Sequence, residues 1–130
     1  TSGQPEFASI DVSFISLRLI LPPLAQILKM GGEVVALIKP QFEAGKEHVG
    51  KNGIIHDHKV HRAVLEEVLT FAREDHFDIL GLDYSPIKGG QGNMEFLVHL
   101  RLSENPGIVA EKVNIDKVIA AADDDLNHKE

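Results

Sequence analysis

The chain is best interpreted outward from residues 36–43, which read Ala36-Leu37-Ile38-Lys39-Pro40-Gln41-Phe42-Glu43. The apolar part continues a run over residues 33–38, which predicts a strand of a sheet that is covered on both faces. The strand ends on Lys39, and Pro40 then stops it because proline has no N–H to donate. An unpaired ammonium group is costly to bury, so Lys39 is expected to have an acidic partner.

Two acidic residues are predicted to lie near Lys39 on other strands. Asp11 stands near the carboxyl end of a short strand over residues 7–12, and Glu95 opens an alternating strand over residues 95–102. A third strand, over residues 77–84, leads into the last through a turn-rich loop without a helix, which predicts an antiparallel pair. Active sites of open α/β sheets lie beyond the carboxyl ends of the parallel strands. All three ionisable groups are therefore expected at one edge.

Helices are predicted between and after these strands. The Pro22-Pro23 pair suits the first turn of a helix that ends at Gly31-Gly32, and Ser16 is a plausible cap for a preceding turn. Asp57 caps a clearly amphipathic helix, and residues 115–126 form a last one. The order β-α-β-α-β-β predicts the closing half of a doubly wound, Rossmann-like α/β domain.

Composition restricts the classes of function. The 130 residues suit one domain, and 13 basic against 20 acidic residues give a formal charge of -7. This balance argues against a grip on nucleic acid by electrostatics alone, but not against a nucleic-acid enzyme whose basic module lies elsewhere. The absence of cysteine fits a reducing cytoplasm. No secretory signal opens the sequence, and the apolar run over residues 14–28 is too interrupted and short for a membrane span.

Two further patterns have weaker functional readings. His56, His58 and His61, with His48 upstream, raise a zinc hypothesis, but their spacing does not put all three on one helix face. We favour a solvated helix start and predict no metal site. The glycines of residues 89–92 precede a strand rather than a helix, so they lack the helix N-terminus that usually completes a phosphate cradle.

Several motifs in order resemble those of the TlyA family. They are Asp11-Val12-Ser13-Phe14-Ile15-Ser16-Leu17, Lys39-Pro40-Gln41-Phe42-Glu43, and Ser85-Pro86-Ile87 with Gly92-Asn93-Met94-Glu95-Phe96. Proteins of that family are often labelled hemolysins, but look like ribosomal RNA 2′-O-methyltransferases. The resemblance covers about residues 7–102.

The resemblance implies an FtsJ-like, S-adenosylmethionine-dependent methyltransferase sheet whose last strand inserts antiparallel beside the strand that carries the lysine. The family's Lys-Asp-Lys-Glu tetrad matches Asp11, Lys39 and Glu95, while its first lysine has no counterpart here. The glycine-rich cofactor loop and an S4-type RNA-binding domain precede the matched region in the family. Residues 1–130 are therefore expected to be the carboxyl-terminal part of one methyltransferase domain, which alone neither binds cofactor well nor turns over.

The resemblance also implies roles for individual residues. Lys39 is the expected general base, which requires a neutral amine, and Asp11 and Glu95 orient it and position the hydroxyl. Asp11 is also the one cofactor-binding candidate. Candidates for contact with substrate RNA are Phe42, Ser85 and Asn93, with packing equally plausible for Phe42 and a structural turn for Ser85. The implied partner is ribosomal RNA or a ribosomal subunit in the cytoplasm, and no membrane.

Two other classes of function remain as alternatives. A membrane-active hemolysin would fit the family's common label, but no spanning segment or strongly basic amphipathic helix supports it. Dye release from liposomes by the purified protein distinguishes this alternative, and we expect none. A non-catalytic α/β binding module is the other alternative, and the presence of Asp11, Lys39 and Glu95 together argues against it.

Overall fold

The computed structural model describes residues 4–11, 16–43, 57–86, 93–104 and 107–127. Its strands are β1 (Phe7–Ile10), β2 (Glu33–Ile38), β3 (Phe77–Tyr84) and β4 (Phe96–Leu102). Its helices are α1 (Leu17–Ile27), α2 (Pro40–Glu43), α3 (His58–Glu74) and α4 (Ile115–Asn127).

The four strands form one sheet in the order β1-β2-β4-β3. β1 and β2 are parallel, and β4 runs antiparallel to both of its neighbours, β2 and β3. Ile38 at the end of β2 faces Phe96 at the start of β4. The predicted α/β fold is confirmed, including the antiparallel insertion of the last strand beside the strand that carries the lysine.

The core lies on one face of this sheet. Side chains of β2 alternate between buried and half-buried, and the buried ones, Val34, Ala36 and Ile38, pack in one apolar cluster with α1 and α3. Val35 and Leu37 on the opposite face stay partly accessible. The expectation that both faces are covered is therefore wrong for the part of the chain that the structure describes, where the helices pack together over one face.

The prediction that α1 begins at the two prolines is also wrong. α1 begins at Leu17, because the Ser16 side chain accepts a hydrogen bond from the N–H of Arg18 at 3.1 Å and caps the helix. Pro22 and Pro23 therefore stand in the helix interior and are exposed, so the carbonyl groups that lose their helical partners lie on the solvent side. The helix ends at Ile27 with Leu28 as its cap, before the predicted glycine pair.

The other helices follow the sequence pattern more closely. Asp57 caps α3 as predicted, since its carboxylate accepts a hydrogen bond from the N–H of Lys59 at 2.8 Å. α4 matches the predicted last helix within one residue. α2 is a single helical turn that begins at Pro40, directly after Lys39.

Candidate active site

Lys39 and Asp11 form an ion pair at the carboxyl edge of the two parallel strands. The distance from Lys39 Nζ to Asp11 Oδ1 is 2.7 Å. The lysine side chain is 15% exposed and the aspartate side chain 68% exposed, so a mostly buried cation meets a carboxylate that opens to solvent. The partner expected for the lysine is thus provided by the neighbouring strand, which offsets the cost of burying the ammonium group.

Glu95 lies at the same edge and is 5% exposed. Because Ile38 pairs with Phe96, the backbone of Glu95 is adjacent to that of Lys39, one residue beyond the last ladder pair. The Glu95 carbonyl accepts a hydrogen bond from the N–H of Ser85 at 2.8 Å, which extends the contact between β3 and β4. The three predicted ionisable residues therefore come from three neighbouring strand ends.

The Glu95 carboxylate is held by a residue that the sequence did not single out. The side-chain amide of Gln41 donates a hydrogen bond from Nε2 to Glu95 Oε2 at 2.9 Å. Among the described residues, the ion pair of Lys39 is made with Asp11, and the hydrogen-bond partner of the Glu95 carboxylate is Gln41. Residues 39–41 therefore contact both acidic residues of the predicted site, one from each side.

Glu43, two residues further on, binds the amino terminus of α1. Its Oε1 accepts a hydrogen bond from the Ser16 hydroxyl at 2.6 Å, and its Oε2 accepts one from the N–H of Leu17 at 2.9 Å. A carboxylate at this position satisfies free N–H groups and interacts favourably with the helix dipole. The two contacts join Glu43 to residues 27 and 26 positions earlier in the chain, and no local signal in the sequence indicated them.

The substrate-contact candidates are placed as follows. Ser85 is half-buried next to Glu95, and Asn93 is 2% exposed just before β4, so both lie at the site edge. The side chain of Phe42 and the glycines of residues 89–92 lie outside the described residues.

The histidines of α3 form a contact between helices. His58 Nδ1 lies 3.1 Å from His61 Nδ1, and His58 Nε2 lies 3.1 Å from an oxygen of Asp123 on α4. His61 is 1% exposed, so the predicted solvated helix start is wrong for this residue, which packs edge-on against Phe96. Within the described ranges, no group of three or more His, Cys, Asp or Glu could hold a metal ion, and His48 and His56 lie outside them.

No helix among residues 4–11, 16–43, 57–86, 93–104 and 107–127 has the length and apolar character that a membrane crossing requires.

Comparison with protein families and known proteins identifies relatives of this chain. The model of the FtsJ-like methyltransferase family matches residues 2–102. The protein named putative rRNA methyltransferase YqxC from Bacillus subtilis (strain 168) is 58% identical over 100 residues, which are 77% of this chain and 36% of that protein. The protein named 16S/23S rRNA (cytidine-2′-O)-methyltransferase TlyA from Mycobacterium tuberculosis (strain H37Rv) is 34% identical over 109 residues, 84% of this chain and 41% of that protein.

A solved structure is also similar to this chain. A protein described as a putative hemolysin from Streptococcus thermophilus superposes with a TM-score of 0.92 at 53% identity, over 98% of this chain and 46% of that one. The chain therefore spans less than half the length of each of these three proteins.

Proposed function

We propose that this chain, which belongs to the FtsJ-like methyltransferase family, is the carboxyl-terminal part of a domain that methylates ribosomal RNA. The methyl group comes from S-adenosylmethionine and the acceptor is a ribose 2′-hydroxyl. The names of the Bacillus and Mycobacterium relatives support this reaction. The observation that carries the proposal is the 2.7 Å ion pair between Lys39 and Asp11 at the carboxyl edge of the parallel strands.

The chemistry assigns a distinct role to each acidic or basic group. Methyl transfer to a hydroxyl needs the hydroxyl held in line with the methyl and its proton removed as the new bond forms. We assign proton removal to Lys39, orientation of its amine to Asp11, and positioning of the hydroxyl to Glu95. The Lys39 amine can accept this proton only in its neutral form.

The residues of this chain fit the reacting end of the cofactor. S-adenosylmethionine, when bound, supplies a methyl group on a cationic sulfur atom. Asp11 is the residue of this chain that we assign to that cation, because its carboxylate is 68% exposed although it is paired with Lys39. The remaining assignments at this edge, Phe42, Ser85 and Asn93, are to the substrate RNA.

Two features support the proposal that more of the protein precedes this chain. On the second sheet face, Val35, Leu37 and Leu97 are only half-buried beside the ion pair of Glu33 and His99, as expected when a covering layer is supplied by other residues. The charge of -7 supports the proposal that another part of the protein makes the electrostatic contacts with RNA. We place the cofactor loop and an S4-type RNA-binding domain in that part, and the protein with its ribosomal substrate in the cytoplasm.

A methyl-transfer assay tests the proposal directly. The full-length protein is incubated with S-adenosylmethionine carrying a radiolabelled methyl group and with ribosomal subunits or their naked RNA. Label is expected in RNA at a linkage that resists alkaline hydrolysis, because 2′-O-methylation removes the attacking hydroxyl. No label in RNA contradicts the proposed reaction. Full-strength transfer by residues 1–130 alone contradicts the proposal that the chain is only part of the domain.

A further inference from the structure

We propose that Gln41 is a positioning residue, which holds the Glu95 carboxylate in one orientation beside Lys39 through a hydrogen bond from its side-chain amide. This inference rests on the proposed methyl transfer and adds to it a residue that touches neither cofactor nor substrate.

Glu95 carries a buried carboxylate. A carboxylate that is 5% exposed needs hydrogen-bond donors to replace the water that it has lost. Gln41 provides one from 54 positions earlier in the sequence, at 2.9 Å. A hydrogen bond to an ionised acceptor is stronger than one between neutral groups, so this contact restricts the rotamer of Glu95.

The side-chain amide of Gln41 has a defined orientation. An ionised carboxylate can only accept, so the Nε2 end of the amide faces it. This orientation leaves Gln41 Oε1 buried and without a hydrogen-bond partner among the described residues. A buried acceptor without a partner costs free energy, and a glutamine that only filled space would carry this cost without a gain. The arrangement is therefore explained by the donor that Glu95 receives.

Gln41 lies close to the proposed base along the chain. Gln41 follows Lys39 by two residues, and Lys39 is itself paired with Asp11. One short segment therefore fixes a carboxylate from β1 and a carboxylate at the start of β4. Because Gln41 binds Oε2 of Glu95, we assign the other oxygen, Oε1, to the ribose hydroxyl. A shift of that oxygen by about 1 Å is expected to lower the rate by about 10²-fold.

The test replaces Gln41 with methionine, which keeps the length of the side chain and removes its hydrogen bonding. In the full-length protein, Gln41→Met is expected to lower kcat by at least about 10-fold, with the KM values for cofactor and RNA changed by less than about 2-fold. The matched control is Gln26→Met on the exposed side of α1, for which kcat is expected to stay unchanged. A folded Gln41→Met variant with the kcat of the unaltered protein overturns the proposal.

A double-mutant cycle separates positioning from a general packing defect. If Gln41 acts through Glu95, Gln41→Met lowers kcat by less than about 2-fold in a protein that already carries Glu95→Gln. If the fold-decrease of kcat in the double variant equals the product of the decreases in the two single variants, the proposal is overturned.

A spectroscopic measurement tests the contact without catalysis. The side-chain amide protons of Gln41 are expected to resonate away from those of an exposed glutamine, and to move with Glu95→Gln but not with Glu104→Gln. If these protons have the chemical shifts of an exposed glutamine and the shifts do not change with Glu95→Gln, the contact is overturned. This result holds even if Gln41→Met does not fold. If the unaltered protein transfers no methyl group, the proposed function fails, while this measurement still decides whether Gln41 contacts Glu95.

Discussion

Glu43 and Ser16 are joined by a hydrogen bond of 2.6 Å from the Ser16 hydroxyl to Glu43 Oε1. Ser16 follows β1 and Glu43 follows β2. In the ion pair, likewise, Asp11 follows β1 and Lys39 follows β2. The same two segments of chain are therefore connected twice, once at the candidate active site and once at the amino terminus of α1. The second connection fixes the backbone on which the first depends.

Removing the Glu43 carboxylate is expected to destabilise the fold. Glu43→Ala removes the contacts to Ser16 and Leu17 and should lower the free energy of unfolding by about 1–2 kcal/mol. Urea denaturation of the full-length protein at neutral pH measures the loss. Glu67→Ala is the control, since this exposed carboxylate pairs with Arg18 at 2.8 Å, and should cost at most about 0.5 kcal/mol. Equal losses in the two variants would show that Glu43 is not a structural cap.

Replacing Lys39 is expected to abolish methyl transfer while the fold is kept. Lys39→Ala removes the proposed base and should lower kcat by at least about 10²-fold. The rate of label transfer to RNA measures the effect, and circular dichroism checks the fold. Lys29→Ala, which removes an exposed lysine paired with Glu6 at 3.1 Å, should be fully active. Activity retained by a folded Lys39→Ala protein would reject the role of the lysine as base.

Asp75 at the carboxyl end of α3 is expected to destabilise the fold when ionised. Burial raises the pKa of this carboxyl above its usual 3.8, and Glu74 raises it further. The folded state thus favours the protonated form of Asp75. The unfavourable contribution of the ionised carboxylate to stability is complete above the pKa of Asp75 in the folded state, and it vanishes below the pKa in the unfolded state.

Asp75→Asn should therefore raise the free energy of unfolding by about 0.3–1 kcal/mol at neutral pH, because it also removes a negative charge from the negative end of the helix dipole. The gain in the free energy of unfolding should shrink as the pH is lowered towards the pKa of Asp75 in the unfolded chain. Urea denaturation over this range measures it, with the exposed Glu111→Gln as control. A gain that does not depend on pH would contradict the electrostatic explanation.

Tyr84 is expected to lose its contact with α4 at high pH. Its hydroxyl donates a hydrogen bond to Asp125 Oδ2 at 2.9 Å, and this bond is the main reason why the pKa of Tyr84 lies above its usual 10.0. The folded state favours the protonated phenol, so its contribution to stability is complete below the unfolded pKa and lost as pH rises through the folded one.

Comparison with Tyr84→Phe isolates this contribution. As the pH rises above about 10, the unaltered protein should lose stability more steeply than the Tyr84→Phe variant, because only it has a phenol at this position to titrate. Denaturation at each pH measures the stability, and the difference in absorbance between the two proteins follows ionisation of the phenol. Parallel stability curves would show that the hydrogen bond to Asp125 contributes nothing.

Some elements could be predicted because their signals are local. The alternation of β4, the cap at Asp57 and the apolar run of β2 each depend on neighbours within a few residues. The start of α1 could not be predicted in this way. The proline pair is a strong local signal, but the cap at Ser16 and the carboxylate of Glu43 outweighed it, and Glu43 comes from more than 25 positions away.

The sequence by itself determined the order of the strands, the family, and the convergence of Asp11, Lys39 and Glu95 on one edge. Chain direction and side-chain period are sufficient for the convergence, whereas the family and the place of the last strand beside the strand that carries the lysine were implied by the resemblance of the motifs to the TlyA family. Only the tertiary structure decided which group contacts which: the pairing of Lys39 with Asp11 and the hydrogen bond from Gln41 to Glu95. Such contacts depend on distances of a few ångströms between side chains on different elements, and packing fixes these distances only once the whole sheet has formed.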